Sequence, residues 1–251
     1  MNKSVVFAGT GIKALSHITK EVEAAIQQAD MVAYLVNEPV TEKWIEEQAK
    51  KHFSFEKLYF SRTNRTDAYK LIKDEIIALS NSYNALCVVI YGHPSLYSNS
   101  AIQSGNELGK QGVNVVFLPG ISADGCMFAD LRVDPGVYGC ISMDASEYLY
   151  YEKVLDKSCH VVFWQIGLTG MSGPPGQDIN HTALQLLSEK LITLYGKNHK
   201  AILYEASLYP HVKPRINEIK ISELATSSLS PITTLYIPPL EIAVPREKIS
   251  D

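Results

Sequence analysis

Short apolar runs alternate with helix-like stretches through the first half of the chain, and this pattern narrows the fold more than any other feature. Residues 5–8 and 31–36 read as strands separated by an amphipathic stretch at 18–29. Residues 85–91 and 113–118 are two further buried strands, joined by a helix around 101–110. Strands apolar on both faces need cover on both, and connections long enough to hold a helix bring successive strands in parallel. The expectation is an α/β lobe on a mainly parallel sheet.

The second half reads differently. Residues 161–166, 200–204, 215–221 and 231–237 are strand candidates. Residues 178–195 form one convincing helix, with Leu184, Leu187, Leu191 and Leu194 along one face. One strong helix among four strands implies antiparallel pairs and a mixed sheet. The glycine/proline cluster at 170–176 reads as a loop, and Pro119-Gly120 as a strand-to-turn signal. A boundary near residues 119–125 divides the chain into an N-terminal α/β lobe (1–120) and a C-terminal mixed α/β lobe (121–251). A chain of 251 residues is long enough for each lobe to have a core.

Composition serves mainly to exclude. A net charge of −4 supplies no basic field for nucleic acid or anionic membrane. No stretch approaches the ~18 consecutive apolar residues that span a bilayer. The apolar run after Met1 is too short for a signal peptide, so a first strand is expected there. Cys87, Cys126, Cys140 and Cys159 have no metal-finger spacing, and most lie in or beside apolar runs. A cytoplasmic protein with no metal site is expected. His17, His160, His181 and His211 read as structural or surface histidines, and His93 lacks a partner at ligand spacing.

Gly9-Thr10-Gly11-Ile12-Lys13-Ala14 follows a strand and precedes a helix, which satisfies the dinucleotide fingerprint. That reading needs an acid at the end of the second strand to hold a ribose. Asp30 comes too early and Glu38 later than expected, so the glycines also fit a simple tight turn.

Several segments together resemble the tetrapyrrole methylase superfamily, the class III S-adenosylmethionine (SAM) methyltransferases. They are Gly9-Thr10-Gly11 with Ile18-Thr19, Tyr91-Gly92-His93-Pro94, Pro119-Gly120-Ile121-Ser122-Ala123 and Pro231-Ile232-Thr233-Thr234. The resemblance implies a two-lobed fold with SAM in the cleft. Most of that superfamily carries Gly-Asp-Pro where this chain has Gly92-His93-Pro94. The closer likeness is to the borosins, which N-methylate peptide backbone amides. It rests on Tyr-Gly-His-Pro, Cys126 with Phe128-Ala129-Asp130-Leu131, Asp134-Pro135-Gly136, Ala145-Ser146, Trp164-Gln165-Ile166, Tyr204-Glu205-Ala206 and Leu235-Tyr236-Ile237-Pro238-Pro239.

A backbone amide nitrogen is a poor nucleophile, because its lone pair is delocalised into the carbonyl. Methylating it requires removing the N–H proton and stabilising charge on oxygen. A tyrosine near an arginine suits both tasks: the cation lowers the phenol's pKa from about 10 and offers donors to an imidate. Tyr59, Arg65 and Tyr69 have a spacing similar to the borosin catalytic set, and Arg65, Tyr69, Ile72 and Ile76 form one helical stripe. The bland alternative is a solvated Arg65 and a half-buried core Tyr69, with Arg62 a competing cation. Tyr91 is the fourth catalytic candidate, at the carboxyl end of a buried strand where ligands collect; an ordinary strand-end tyrosine is its alternative. By resemblance, His93, Leu96, Tyr97, Ser122 and Ala123 border the cofactor, and Gln165, Tyr204, Ala206 and Thr233 complete its site from further along the chain.

The reading is SAM-dependent α-N-methylation of a ribosomally made precursor peptide. The charged stretch at 241–251 has no apolar core-peptide segment, so a separate precursor supplied in trans is expected. The resemblance further implies a homodimer, or a heterotetramer with the precursor. A tetrapyrrole C-methyltransferase and a non-catalytic SAM-binding regulator are the alternatives. The first needs more cations near the motifs than this chain offers, and the second leaves Tyr59, Arg65 and Tyr69 without a purpose.

Overall fold

The computed structural model describes residues 3–151, 153–173 and 178–241. Positions 174–177 of the glycine/proline loop and 242–251 of the charged C-terminal stretch therefore lie outside the described residues. The described residues group into two compact units, one of residues 3–126 with 172–173 and 206–213, the other of 127–151, 153–171, 178–205 and 214–241.

The first unit contains β1 (Ser4–Gly9), α1 (Lys20–Gln28), β2 (Met31–Leu35), α2 (Pro39–Gln48), β3 (His52–Ser54), α3 (Glu56–Phe60), α4 (Arg65–Ser82), β4 (Ala85–Ile90), α5 (Asn99–Lys110) and β5 (Asn114–Leu118). Its five strands form one parallel sheet in the order β3-β2-β4-β1-β5. The two-residue period of a strand splits the core between the faces. Phe7 and Val88 pack with Ile72, Ile76, Ala101 and Leu108 of α4 and α5. Ala8, Cys87 and Val89 pack with Val22, Ile26 and Ile45 of α1 and α2. Phe7 also stacks on Phe117 with ring centroids 4.5 Å apart. Sequence periodicity anticipates four of these strands. It misses β3, which is only three residues long, and α2, a charged helix that buries only Thr41 and Ile45.

α6 (Ala123–Leu131) follows β5. The second unit then has β6 (Cys140–Asp144), α7 (Ala145–Tyr150), β7 (His160–Trp164), α8 (His181–Tyr195), β8 (Lys200–Glu205), β9 (Arg215–Lys220) and β10 (Thr234–Ile237). The sheet order is β6-β7-β10-β8-β9, with β6 parallel to β7 and every other pairing antiparallel. The mixed sheet is as expected, but it has five strands rather than four. β6 escapes a sequence reading because no residue of Cys-Ile-Ser-Met-Asp is fully buried. Leu184, Leu187, Leu191 and Tyr195 of α8 close the core against Val161, Phe163, Leu203 and Leu235.

Two expected strands are corrected at their ends. The strand anticipated at 161–166 stops at Trp164, because Gln165 adopts a left-handed conformation (φ 53°) and opens a 3₁₀ turn over Ile166–Leu168. The strand anticipated at 231–237 begins at Thr234, since Thr233 N–H closes a turn onto Ser230 O at 3.1 Å.

No disulfide joins the four cysteines; Cys87 and Cys126 are buried, whereas Cys140 and Cys159 are partly exposed. Burial pushes the Cys87 thiol up to about 12, as befits a residue that acts as a small hydrophobe. Among the described residues, no helix is long and apolar enough to cross a membrane.

Candidate active site

The loops after β1, β4 and β5 converge at the carboxyl edge of the parallel sheet, and three glycines make this convergence possible. A Cβ on Gly9 would lie 2.3 Å from Gly92 O, and one on Gly120 would lie 2.2 Å from the same oxygen. Gly11 and Gly92 form an isolated antiparallel bridge, each N–H reaching the other's carbonyl at 3.0 Å. Ile12 and Lys13 donate their N–H groups to His17 Nδ1, both at 3.2 Å.

These bonds remove the physical basis of the dinucleotide reading. The loop amides that would cradle a pyrophosphate are already satisfied by Gly92 O and His17. Glu38, the candidate ribose acid, is 5% exposed and caps α2, accepting from Thr41 N at 2.8 Å and Thr41 Oγ1 at 2.6 Å. Burial alone would raise its pKa, but hydrogen bonds from Thr41, Val40 and Tyr209 hold it below the usual carboxylate value. The glycines make a turn.

Tyr59, Arg65 and Tyr69 come together where α3 meets α4. The chain breaks between the helices, and Asn64 caps α4 by accepting Thr66 N–H at 2.7 Å, which makes Arg65 the first helical residue. Its own N–H donates to Ser172 O at 2.8 Å. The stripe runs from partly exposed Arg65 and Tyr69 to fully buried Ile72 and Ile76. The Tyr59 and Tyr69 rings lie 6.0 Å apart at 27°. Burial, with the charge and hydrogen bond of Tyr69, pushes Tyr59 up to about 12, while Arg65 pulls it the other way. The expected lowering by the cation is present but outweighed: Tyr59 remains a protonated donor at neutral pH. Arg62 is exposed on the link between the helices.

Tyr91 follows β4 and has different neighbours. Burial, opposed by a hydrogen bond from Asn37 and reinforced by Cys126, holds it up at about 12. It borders a shallow depression, with no room for a water molecule inside it, lined also by Asn37, Glu38 and residues 10–14. Asn37 has no sequence signal beyond its place at the end of β2.

The residues expected around the cofactor divide by their local order. His93 Nδ1 accepts Ser95 N–H at 3.1 Å, so its proton sits on Nε2 in the neutral ring. Leu96 and Tyr97 are 46% and 49% exposed, and Ile121 is 42% exposed, on the loops after β4 and β5. Tyr97 lies in the left-handed region at φ 54°. An exposed aromatic and aliphatic surface backed by glycine turns fits a ligand that is part flat ring and part aliphatic chain, as SAM is. The Ser122 hydroxyl donates to Asp124, and Ala123 opens α6.

Gln165, Tyr204 and Thr233 belong to the second unit and Ala206 to the first. Tyr204 is buried and its hydroxyl donates to Asp130 Oδ2 at 2.7 Å. Thr233 is fully buried, and its hydroxyl donates to Glu205 Oε1 at 2.5 Å. The motifs containing Asp130 and Glu205 stand out in the sequence, but these long-range partnerships do not. Among the described residues, no cluster of three His, Cys, Asp or Glu could hold a metal ion.

Comparison with known proteins gives this geometry a context. The family model of tetrapyrrole (corrin/porphyrin) methylases matches residues 4–213. A Cerrena unicolor protein named as a methyltransferase and ribosomally synthesized type I borosin cyclic peptide precursor is 31% identical over 98% of this chain and 61% of its own length. A protein from Gymnopilus junonius with the same description is 34% identical over 96% of this chain and 58% of its own. The chain thus spans about three fifths of the curated relatives it matches. Among solved structures, a uroporphyrin-III C-methyltransferase from Thermus thermophilus superposes with a TM-score of 0.68 at 14% identity, covering 96% of this chain and 94% of that one. The same enzyme complexed with S-adenosyl homocysteine gives 0.63 at 15%, covering 94% and 98%.

Proposed function

The chain belongs to the tetrapyrrole (corrin/porphyrin) methylase family, and from that premise we propose that it is a SAM-dependent α-N-methyltransferase acting on backbone amides of a ribosomally made peptide. The observation that carries the proposal is the trio at the start of α4: two tyrosine rings 6.0 Å apart with an arginine beside them. The relatives, named as methyltransferases and cyclic peptide precursors in one chain, support the substrate class. Likeness to the uroporphyrin enzymes at 14% identity supports the fold alone.

SAM supplies an electrophilic methyl group. What this chain contributes is proton transfer and charge stabilisation. Tyr59, kept protonated by burial, hydrogen-bonds Tyr69. We assign the amide proton to the Tyr69 oxygen, which takes it up as a phenolate, and the developing imidate charge to Arg65, whose planar guanidinium suits an oxygen acceptor. Tyr91, steadied by Asn37, orients the reacting group. His93, Leu96, Tyr97, Ser122, Ala123, Gln165, Tyr204, Ala206 and Thr233 are the proposed cofactor set. Assembly as a homodimer completes the reading.

Tyr69→Phe and Arg65→Ala test it. Each should cut turnover of an added peptide by roughly two orders of magnitude or more, while SAM affinity by calorimetry stays near that of the parent protein. Unchanged turnover in both variants would show that the catalytic set is wrong.

A further inference from the structure

Glu205 ends β8 directly opposite Arg215, the first residue of β9. Its Oε1 accepts from three donors: Arg215 Nη1 at 2.7 Å, Ser230 Oγ at 2.9 Å and Thr233 Oγ1 at 2.5 Å. Arg215 Nη2 donates to Ser228 O at 2.6 Å, so the guanidinium ties the carboxylate to the chain entering the 230–233 turn. Within that turn, Ser230 N–H donates to Thr233 Oγ1 at 2.7 Å. Thr233 O then accepts Ile166 N–H at 3.0 Å. A Cβ on Gly167 would stand 2.2 Å from Ser230 O and 3.3 Å from Pro231 N, so the backbones of the two turns are in direct contact. Gln165 heads the 165–168 turn in its left-handed conformation.

This network changes the part Thr233 can play. Its N–H, its carbonyl and its hydroxyl proton are each committed inside the unit and its side chain is fully buried, so it acts on a ligand only through the turn it holds in place. The group that commits the hydroxyl is Glu205. We propose that Glu205 is a positioning residue: its carboxylate keys the 230–233 turn to the 165–168 turn and so sets the position of Gln165 at the cofactor site. A charged acceptor shared by three donors is suited to this, because charge-assisted bonds are about twice as strong as neutral ones. Arg215 aims the carboxylate through its 2.7 Å bond to Oε1. The inference rests on the methyltransferase reading and deepens it.

The test separates positioning from simple stability. In Glu205→Gln and Thr233→Val, SAM affinity measured by calorimetry should fall about tenfold or more, with kcat at saturating SAM and the peptide KM close to those of the parent. Thr233→Ser keeps the hydroxyl and should bind SAM like the parent. The double variant Glu205→Gln/Arg215→Met restores charge balance; the proposal expects SAM affinity to stay low, whereas a mere ion pair would be rescued. Parental affinity in a folded Glu205→Gln or Thr233→Val variant, or its recovery in the double variant, overturns the proposal. Should Glu205→Gln fail to fold, Thr233→Val, which removes one hydroxyl at nearly constant volume, decides alone. Failure of the parent protein to bind SAM would instead bring down the proposed function, a different result from parental binding with indifferent variants.

Discussion

Replacing Tyr59 with phenylalanine removes one hydroxyl and leaves the ring. The ring packs against the first unit's core and stacks on Tyr69 at 6.0 Å, so stability should change little. The lost hydroxyl is the donor that burial keeps protonated, with a pKa of about 12, and that hydrogen-bonds Tyr69. A hydrogen bond to a charged partner contributes about 1.5–3 kcal/mol. Since about 1.4 kcal/mol is tenfold in rate, kcat should fall roughly 10- to 100-fold. The loss should be smaller than that of Tyr69→Phe, because a missing helper costs less than a missing base. Steady-state kinetics at saturating SAM and peptide measure both variants, with KM for SAM expected to hold. If Tyr59→Phe turned over at the parental rate, or fell further than Tyr69→Phe, the division of labour between the tyrosines would be wrong.

Alkaline stability follows from the buried phenols. Burial holds Tyr59, Tyr91, Tyr195 and Tyr236 up at about 12, above the unfolded value of about 10. Their contribution is complete below the unfolded value and is lost as pH rises from there through the folded value; urea midpoints should begin to fall above about pH 8.5, where buried Cys87 starts to cost stability, and fall more steeply above about pH 10, and a steady midpoint through the whole window would contradict the burial argument. Gly120→Ala should lower Tm, because the added Cβ meets the Gly92 carbonyl at 2.2 Å, whereas Gly109→Ala, with nothing within 4 Å on α5, should raise stability by about 1 kcal/mol. Tyr204→Phe should destabilise the protein by about 1.5–3 kcal/mol through loss of its 2.7 Å bond to Asp130, read from denaturant unfolding.

How much of this was legible in the sequence depends on the range of the interaction. Strands such as β1 and β4 announce themselves because both faces are apolar, and α8 because its leucines recur at helical spacing. β6 does not, because it is an edge strand of mixed composition that pairs on one side. Tyr59, Arg65 and Tyr69 lie within eleven positions of one another, so local periodicity and a family likeness suffice to group them. The state of Tyr59 is not legible, because the sequence displays the cation that lowers a phenol's pKa but not the burial that outweighs it here. The Gly9–Gly11 turn looked open to a phosphate because its partners, Gly92 and His17, are fixed only by the fold. Glu205 with Thr233 and Tyr204 with Asp130 are separated by 28 and 74 positions, and no periodicity links them.

The most direct test is where the methyl group goes. Incubated with SAM and the product of a small adjacent reading frame, with a tetrapyrrole as a parallel substrate, the protein should add single-methyl mass increments to the peptide. Tandem mass spectrometry should place them on backbone amide nitrogens, and Tyr69→Phe should abolish them. Methyl groups confined to side chains, or a methylated tetrapyrrole beside an untouched peptide, would contradict the account.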